Sequence, residues 1–212
     1  AMAPGVLAQQ AAKLNALLVH YSTDYVFDGS QLTPYRESDP THPLGVYGES
    51  KLAGEQMVQA SGCRHLLLRT SWVYDSTGRN FLTTMLRLAK QHGKLRVVGD
   101  QHGSPTSAAM IAEASLQLIR SMLNQPAMQG GLYHLTAQGQ TTWHGFAQAI
   151  LRKAGLDVPI EAITTADYPT PAKRPAYSVL DSSKLQREFN YRLPDWQQAL
   201  DALPALSSQQ AA

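Results

Sequence analysis

The sequence has little cysteine, little charge and no long apolar run. Its single cysteine, Cys63, excludes an internal disulfide and a zinc site built from several thiolates. No stretch approaches the roughly 18 apolar residues that a membrane helix needs, and no leader with a basic and then an apolar part is recognisable. We therefore expect no membrane anchor, no export signal and a location in the reducing cytoplasm.

The charge pattern excludes a further class of partner. The 212 residues include 18 basic and 16 acidic side chains, and the resulting net charge of +2 is scattered along the chain. Because nucleic-acid binding requires a concentrated basic surface, we expect no nucleic-acid partner. The histidines and acidic residues show no spacing typical of metal ligands, so we also expect no metal site.

A glycine loop is also missing. None of the 15 glycines forms the pattern G-x-G-x-x-G, which binds the pyrophosphate of a dinucleotide between a first strand and its helix. The chain moreover opens on a pattern typical of a helix inside a domain. We therefore expect that Ala1 is not the start of a natural fold, or that the chain is only part of one.

Apolar runs typical of buried strands alternate with helical patterns, which indicates an α/β fold. A strand at 16–21, a helix at 47–60 and a strand at 64–70 predict a right-handed parallel unit. In the less regular second half, we predict a long helix at 107–123 with Ser104 or Thr106 as its N-cap.

Tyr47 and Lys51 are four residues apart in a predicted helix, so their side chains share one face. The pKa of a free phenol, near 10, is too high for proton exchange at neutral pH, and a nearby ammonium lowers it. The pair is therefore suited to proton transfer. The same spacing also arises by chance, so the pair alone is not diagnostic.

Polar clusters follow both predicted strands, where parallel sheets bind their ligands. Thr23, after the first strand, could reach the crevice that contains Tyr47, or could serve only as an N-cap. Trp72, after the second strand, could stack on a ligand ring, or could belong to the core. Arg174, before a proline, could meet a phosphate or only water.

Four ordered motifs carry a family resemblance: STDYVFDGS, PLGVYGESKLAGE, LLRTSWVY and GDQHGSPTS. They resemble the dTDP-4-dehydrorhamnose reductase family of the extended short-chain dehydrogenase/reductase superfamily, and RPAYSVLDSSKL extends the likeness to about Leu203. The resemblance implies the C-terminal part of a Rossmann-like doubly wound parallel sheet plus a smaller α/β substrate-binding lobe. Residues 1–93 would be the remaining half of the dinucleotide-binding domain. Residues 94–212 would mainly form the lobe, with segments returning to the sheet.

The resemblance also implies a reaction, the NADPH-dependent (or NADH-dependent) reduction of the C4 ketone of dTDP-4-dehydro-L-rhamnose. Tyr47 would be the general acid and Lys51 its electrostatic partner and ribose anchor, so that both bind the cofactor. Thr23 would assist the ketone oxygen. The implied contacts to the nucleotide-sugar substrate are Thr23, Asp24, Tyr25, Trp72 and, from the segment 102–107, His102.

Alternatives remain open because the glycine loop is missing. The chain could be a non-catalytic binding or regulatory module, like the regulatory beta subunit of methionine adenosyltransferase, which resembles the same reductases. It could also be a nucleotide-sugar epimerase of the same superfamily, with a tightly held NAD. A partial parallel sheet exposes an edge and apolar faces, so we expect self-association.

Overall fold

The computed structural model describes residues 2–206, in which seven α-helices alternate with nine short strands. The helices are α1 Met2–Lys13, α2 Val46–Ala60, α3 Phe81–Gln91, α4 Ala108–Asn124, α5 Trp143–Lys153, α6 Ser183–Phe189 and α7 Trp196–Ala202. The strands are β1 Leu18–Thr23, β2 His65–Thr70, β3 Val73–Tyr74, β4 Leu95–Val98, β5 His102–Gly103, β6 Thr106–Ser107, β7 Gly130–His134, β8 Thr141–Thr142 and β9 Ile160–Ile163. None of the helices in this part of the chain has the length and apolarity needed to cross a bilayer.

The main sheet consists of three parallel strands in the order β1-β2-β7. Alternate side chains of the central strand face opposite helical layers, as the two-residue period of a strand requires. Leu67 packs with Ala8 of α1 and Val58 of α2, whereas Leu66 and Leu68 pack against α4. Helices therefore cover both faces of the sheet, which confirms the predicted doubly wound α/β fold.

A second core lies between α3, α5 and α7 and is bordered by the parallel pair β4 and β9. Its largest fully buried aromatic residues are Tyr74 and Phe146. The two cores interleave along the chain, because α3 belongs to the second core while α4 and β7 return to the first. The division at residue 93 stays a prediction of domain organisation, and residues 207–212 lie outside the described part of the chain.

The helix predicted at 107–123 is present as α4, but the prediction of its N-cap was wrong. Its N-cap is Ser107, whose Oγ accepts a hydrogen bond of 3.2 Å from the Met110 amide. The hydroxyls of Ser104 and Thr106 donate instead to backbone carbonyls, those of Gly139 and Ser104. A side chain caps a helix only from the residue directly before its first turn, and the helix begins at Ala108.

The two edges of the main sheet differ. At the outer edge of β7, the Lys184 ammonium donates to the Leu132 carbonyl and the Glu37 carboxylate accepts from the His134 amide, each at 2.8 Å. Charged side chains therefore form hydrogen bonds with backbone groups that would otherwise be available to a further strand. Within the described residues, β1 pairs only with β2, so no strand covers its other edge.

Candidate active site at the carboxyl ends of β1 and β2

The first part of the site is the turn that follows β1. Thr23 caps the short 3₁₀ helix Asp24–Val26, and its Oγ1 accepts a hydrogen bond of 3.2 Å from the Tyr25 amide. The same hydroxyl donates to Asp24 Oδ1 at 3.1 Å. The N-cap interpretation of Thr23 is therefore confirmed, and it leaves the hydroxyl at the carboxyl end of the strand.

Asp24 is a buried carboxyl group beside that hydroxyl. Only 2% of the residue is exposed, and its Oδ2 is a buried atom without a hydrogen-bond partner among the described residues. Burial raises its pKa to about 6, although the hydroxyls of Ser178, Thr23 and Ser71 favour the charged form. The carboxyl group therefore takes up a proton within reach of neutral pH.

Replacement of Asp24 by asparagine tests this environment. Since its folded-state pKa exceeds the unfolded value of 3.8, the wild type loses stability as the pH rises from about 4 to about 6. The full loss is about 3 kcal/mol, and an asparagine does not undergo it. Urea unfolding at several pH values should show that the free energy of unfolding of Asp24→Asn rises relative to that of the wild type over this range. Parallel stability curves would contradict the burial argument.

Tyr47 and Lys51 lie on α2, which begins directly above this turn. The Tyr47 ring meets the Tyr25 ring edge-on, with 5.8 Å between centroids, and Tyr47 remains 58% exposed. Gly48 lets the helix approach, because a Cβ at this position would collide with the Tyr25 carbonyl oxygen. One turn further on, the Lys51 ammonium donates to the Tyr21 carbonyl at 2.6 Å.

The structure thus brings Tyr47, Tyr25 and the Thr23 turn together and fixes Lys51 at the carboxyl end of β1. The arrangement combines an exposed tyrosine and a lysine on α2 with a threonine hydroxyl in the turn beneath the helix. Such a set can deliver a proton and can stabilise a negative charge that develops on a bound oxygen.

Trp72 follows β2, and neighbouring residues cover much of its indole ring. Its indole stacks on Trp143, with 3.6 Å between centroids and 6° between planes. Gly103 also lies against the indole, since a Cβ there would collide with the ring. Trp72 has a φ of +48°, a left-handed conformation that is costly for a bulky residue. The expectation of ligand stacking is therefore limited to the surface that Trp143 and Gly103 leave uncovered.

His102 reaches the site through a segment from the C-terminal part of the chain. Its amide donates to the Ala176 carbonyl and its carbonyl accepts from the Ser178 amide, both at 2.8 Å. Arg174, in the same segment, lies close enough to Tyr25 to oppose the burial and the Asp24 charge that raise the pKa of that phenol. The segment 174–178 therefore connects His102 with the turn after β1.

Sequence reasoning missed two members of this site, Ser71 and Ser178. Their hydroxyls are buried and lie near the Asp24 carboxyl group, where they favour its charged form. The motif RPAYSVLDSSKL contains Ser178 and is recognisable in the sequence, but it does not by itself indicate a role for this serine. A cavity of about 720 Å³ at the outer edge of β7, lined by residues that include Lys184 and Arg187, contains no residue of the predicted site.

Comparisons with known proteins agree with this architecture. The family described as RmlD substrate binding domain matches residues 1–207. The dTDP-4-dehydrorhamnose reductase of Shigella flexneri is 48% identical over 197 residues, which cover 90% of this chain and 66% of that protein. This chain therefore spans just under two thirds of the length of that relative.

Two solved structures are also similar. A dTDP-4-dehydrorhamnose reductase from Clostridium acetobutylicum has a TM-score of 0.89 and 39% identity, covering 95% of this chain and 69% of that one. The Bacillus anthracis reductase, in complex with NADP, has a TM-score of 0.88 and 34% identity, with the same coverage. The resemblance found in the sequence is thereby confirmed, and this chain belongs to the RmlD substrate-binding domain family.

Proposed function

We propose that this chain carries the ketone-reducing site of an NADPH-dependent reductase that converts dTDP-4-dehydro-L-rhamnose into dTDP-L-rhamnose. The observation that carries the proposal is the exposed Tyr47 phenol of α2, which packs against Tyr25 in the turn after β1, with the Lys51 ammonium fixed one helical turn away. The names of the reductases from Shigella flexneri and Bacillus anthracis support the choice of reaction.

In this proposal three polar groups share the proton transfer and the stabilisation of charge. The Tyr47 hydroxyl donates its proton to the ketone oxygen as the negative charge develops there. The Lys51 ammonium stabilises the phenolate that remains. The Thr23 hydroxyl turns from Asp24 towards the same oxygen and adds a second hydrogen bond.

The substrate would lie along the turn and the C-terminal segment. Asp24 and Tyr25 face the sugar, and His102 and the uncovered surface of Trp72 border it from the smaller lobe. Arg174 is exposed and close to Tyr25, so its guanidinium is placed to pair with the diphosphate of a nucleotide sugar. This role accounts for the position of the Arg174 guanidinium beside the half-buried Tyr25 phenol.

The residues present fit one end of a nicotinamide nucleotide. Lys51 uses one of its three N–H donors on the Tyr21 carbonyl, which leaves two for ribose hydroxyls. Tyr47 is exposed beside it and would contact the same ribose. When bound, the cofactor supplies the hydride to C4. The sequence has no G-x-G-x-x-G loop, so no residue of this chain is assigned to the pyrophosphate.

The test is consumption of NADPH by the 212-residue chain with dTDP-4-dehydro-L-rhamnose, followed by its absorbance and by analysis of the sugar product. Formation of dTDP-L-rhamnose with equal loss of NADPH is the expected result. Nucleotide-sugar binding without any turnover would instead favour a non-catalytic module. Interconversion of epimers without net loss of NADPH would favour an epimerase.

We further propose that the chain is located in the cytoplasm, where its free cysteine stays reduced.

We also propose that the chain self-associates through the uncovered edge of β1. Light scattering over a range of concentrations should show an average mass that rises above the 23.1 kDa of one chain. A monodisperse monomer with a cooperative thermal transition would contradict self-association.

A further inference from the structure

Arg69 is a charged residue inside a buried apolar strand. Strand β2 has the sequence HLLLRT, and Arg69 is only 2% exposed. Because side chains alternate along a strand, Arg69 points to the same face as Leu67, towards the layer of α1 and α2. A guanidinium that is buried in this way is strongly unfavourable without a partner.

The partner is Glu55, which is 1% exposed and belongs to α2. Arg69 donates from Nε to Glu55 Oε1 at 2.9 Å and from Nη2 to Oε2 at 2.7 Å, a two-pronged pairing with little geometric freedom. Glu55 lies four residues after Lys51 and eight after Tyr47, so all three share one face of the helix. The ion pair therefore fixes the distance between α2, which carries Tyr47, and the sheet, and it fixes the rotation of α2 about its own axis.

The same guanidinium also contacts the turn after β1 and strand β7. Its Cζ lies 5.1 Å from the centre of the Phe27 ring, and Phe27 directly follows the helix Asp24–Val26. Its Nη1 lies 3.4 Å from His134 Nε2. One side chain thus contacts the helix that carries Tyr47 and Lys51, the segment that begins at Thr23, and the neighbouring strand.

We propose that Arg69 is a positioning residue, which sets the distance between the Thr23 turn and the Tyr47–Lys51 face of α2 through its contacts with Glu55 and Phe27. The proposal rests on the proposed function, because it assigns those groups to one reaction. A displacement of about 1 Å at a catalytic group can lower a rate about 100-fold. A buried ion pair contributes little net stability compared with apolar residues of similar volume, so geometry is the better explanation for its presence here.

The central experiment replaces both partners by apolar residues of similar size, Glu55→Leu with Arg69→Met. We expect this variant to keep a cooperative unfolding transition, because no charge remains buried alone. Its kcat should fall about 10- to 100-fold while KM changes by less than about threefold. The matched control is Glu161→Leu with Lys94→Met, which removes an exposed ion pair and should leave kcat unchanged.

A second measurement does not depend on turnover. Crystal structures of the wild type and the double variant should differ in the position of α2 relative to Asp24–Val26 by more than about 0.5 Å, with loss of the hydrogen bond between Lys51 and Tyr21. If the wild type shows no turnover, the proposed function fails, and this displacement alone decides the positioning proposal. An unmoved helix together with an unchanged kcat would overturn it.

Arg69→Lys provides the variant that preserves the charge. A lysine retains the ion pair with Glu55 but replaces the planar fork by a single point contact. We expect it to fold and to show a kcat between those of the wild type and the double variant, again with little change in KM. If the double variant does not fold, this comparison decides the proposal, and wild-type kcat in Arg69→Lys overturns it.

Discussion

Replacement of Tyr47 by phenylalanine is expected to lower kcat about 100- to 10,000-fold, the usual contribution of a positioned general acid. Nucleotide-sugar binding should change by less than about threefold, since the ring that meets Tyr25 edge-on is retained and only the hydroxyl is lost. Steady-state consumption of NADPH measures kcat, and calorimetric titration with dTDP-L-rhamnose measures binding.

Tyr168→Phe is the matched control. Tyr168 is 57% exposed, close to the 58% of Tyr47, but it follows the short helix Thr165–Asp167 and is not among the residues assigned to the reaction. Its replacement should leave kcat unchanged. A loss of kcat in Tyr47→Phe alone then shows that the position of the Tyr47 hydroxyl matters, and not merely the removal of a surface phenol. A Tyr47→Phe variant that keeps more than about half of kcat excludes Tyr47 as the proton donor.

The sequence predicts well those features that depend on neighbouring residues. The parallel unit of β1, α2 and β2 follows from hydrophobic periodicity, and the shared face of Tyr47 and Lys51 follows from the helical repeat. The N-cap role of Thr23 is equally local, since the group it caps is two residues away. The individual elements and the cap are recognised from local sequence patterns, and the general rule for strand–helix–strand connections supplies the parallel pairing of β1 with β2.

Contacts between distant segments escape this reasoning. Trp72 stacks on Trp143, and Ser178 lies near Asp24, yet neither pairing leaves a periodic signal in the sequence. The pairing of Arg69 with Glu55 could have been suspected, because an arginine within the apolar run LLLRT requires a buried acidic partner. The choice of Glu55 among the acidic residues still depends on how α2 lies against the sheet.

Acid is expected to destabilise this protein through His134. The residue is fully buried in β7, and burial, followed by the Arg69 charge, lowers its pKa from 6.5 to about 3. A group whose pKa is lower in the folded state stabilises the fold above its unfolded pKa and loses that stabilisation as the pH falls. The free energy of unfolding should therefore decrease below about pH 6.5, by up to about 5 kcal/mol at pH 3.

Asp24 acts in the opposite direction over part of this range, since its raised pKa favours the folded state as the pH falls below about 6. The effect of His134 is therefore best measured as a difference, by urea unfolding of the wild type and His134→Gln between pH 7.5 and 4. The glutamine variant should lose less stability on acidification, because it cannot take up a proton next to Arg69. His92→Gln, at an exposed position after α3, should follow the wild type. If His134→Gln also follows the wild type at every pH, protonation of His134 does not drive the acid transition.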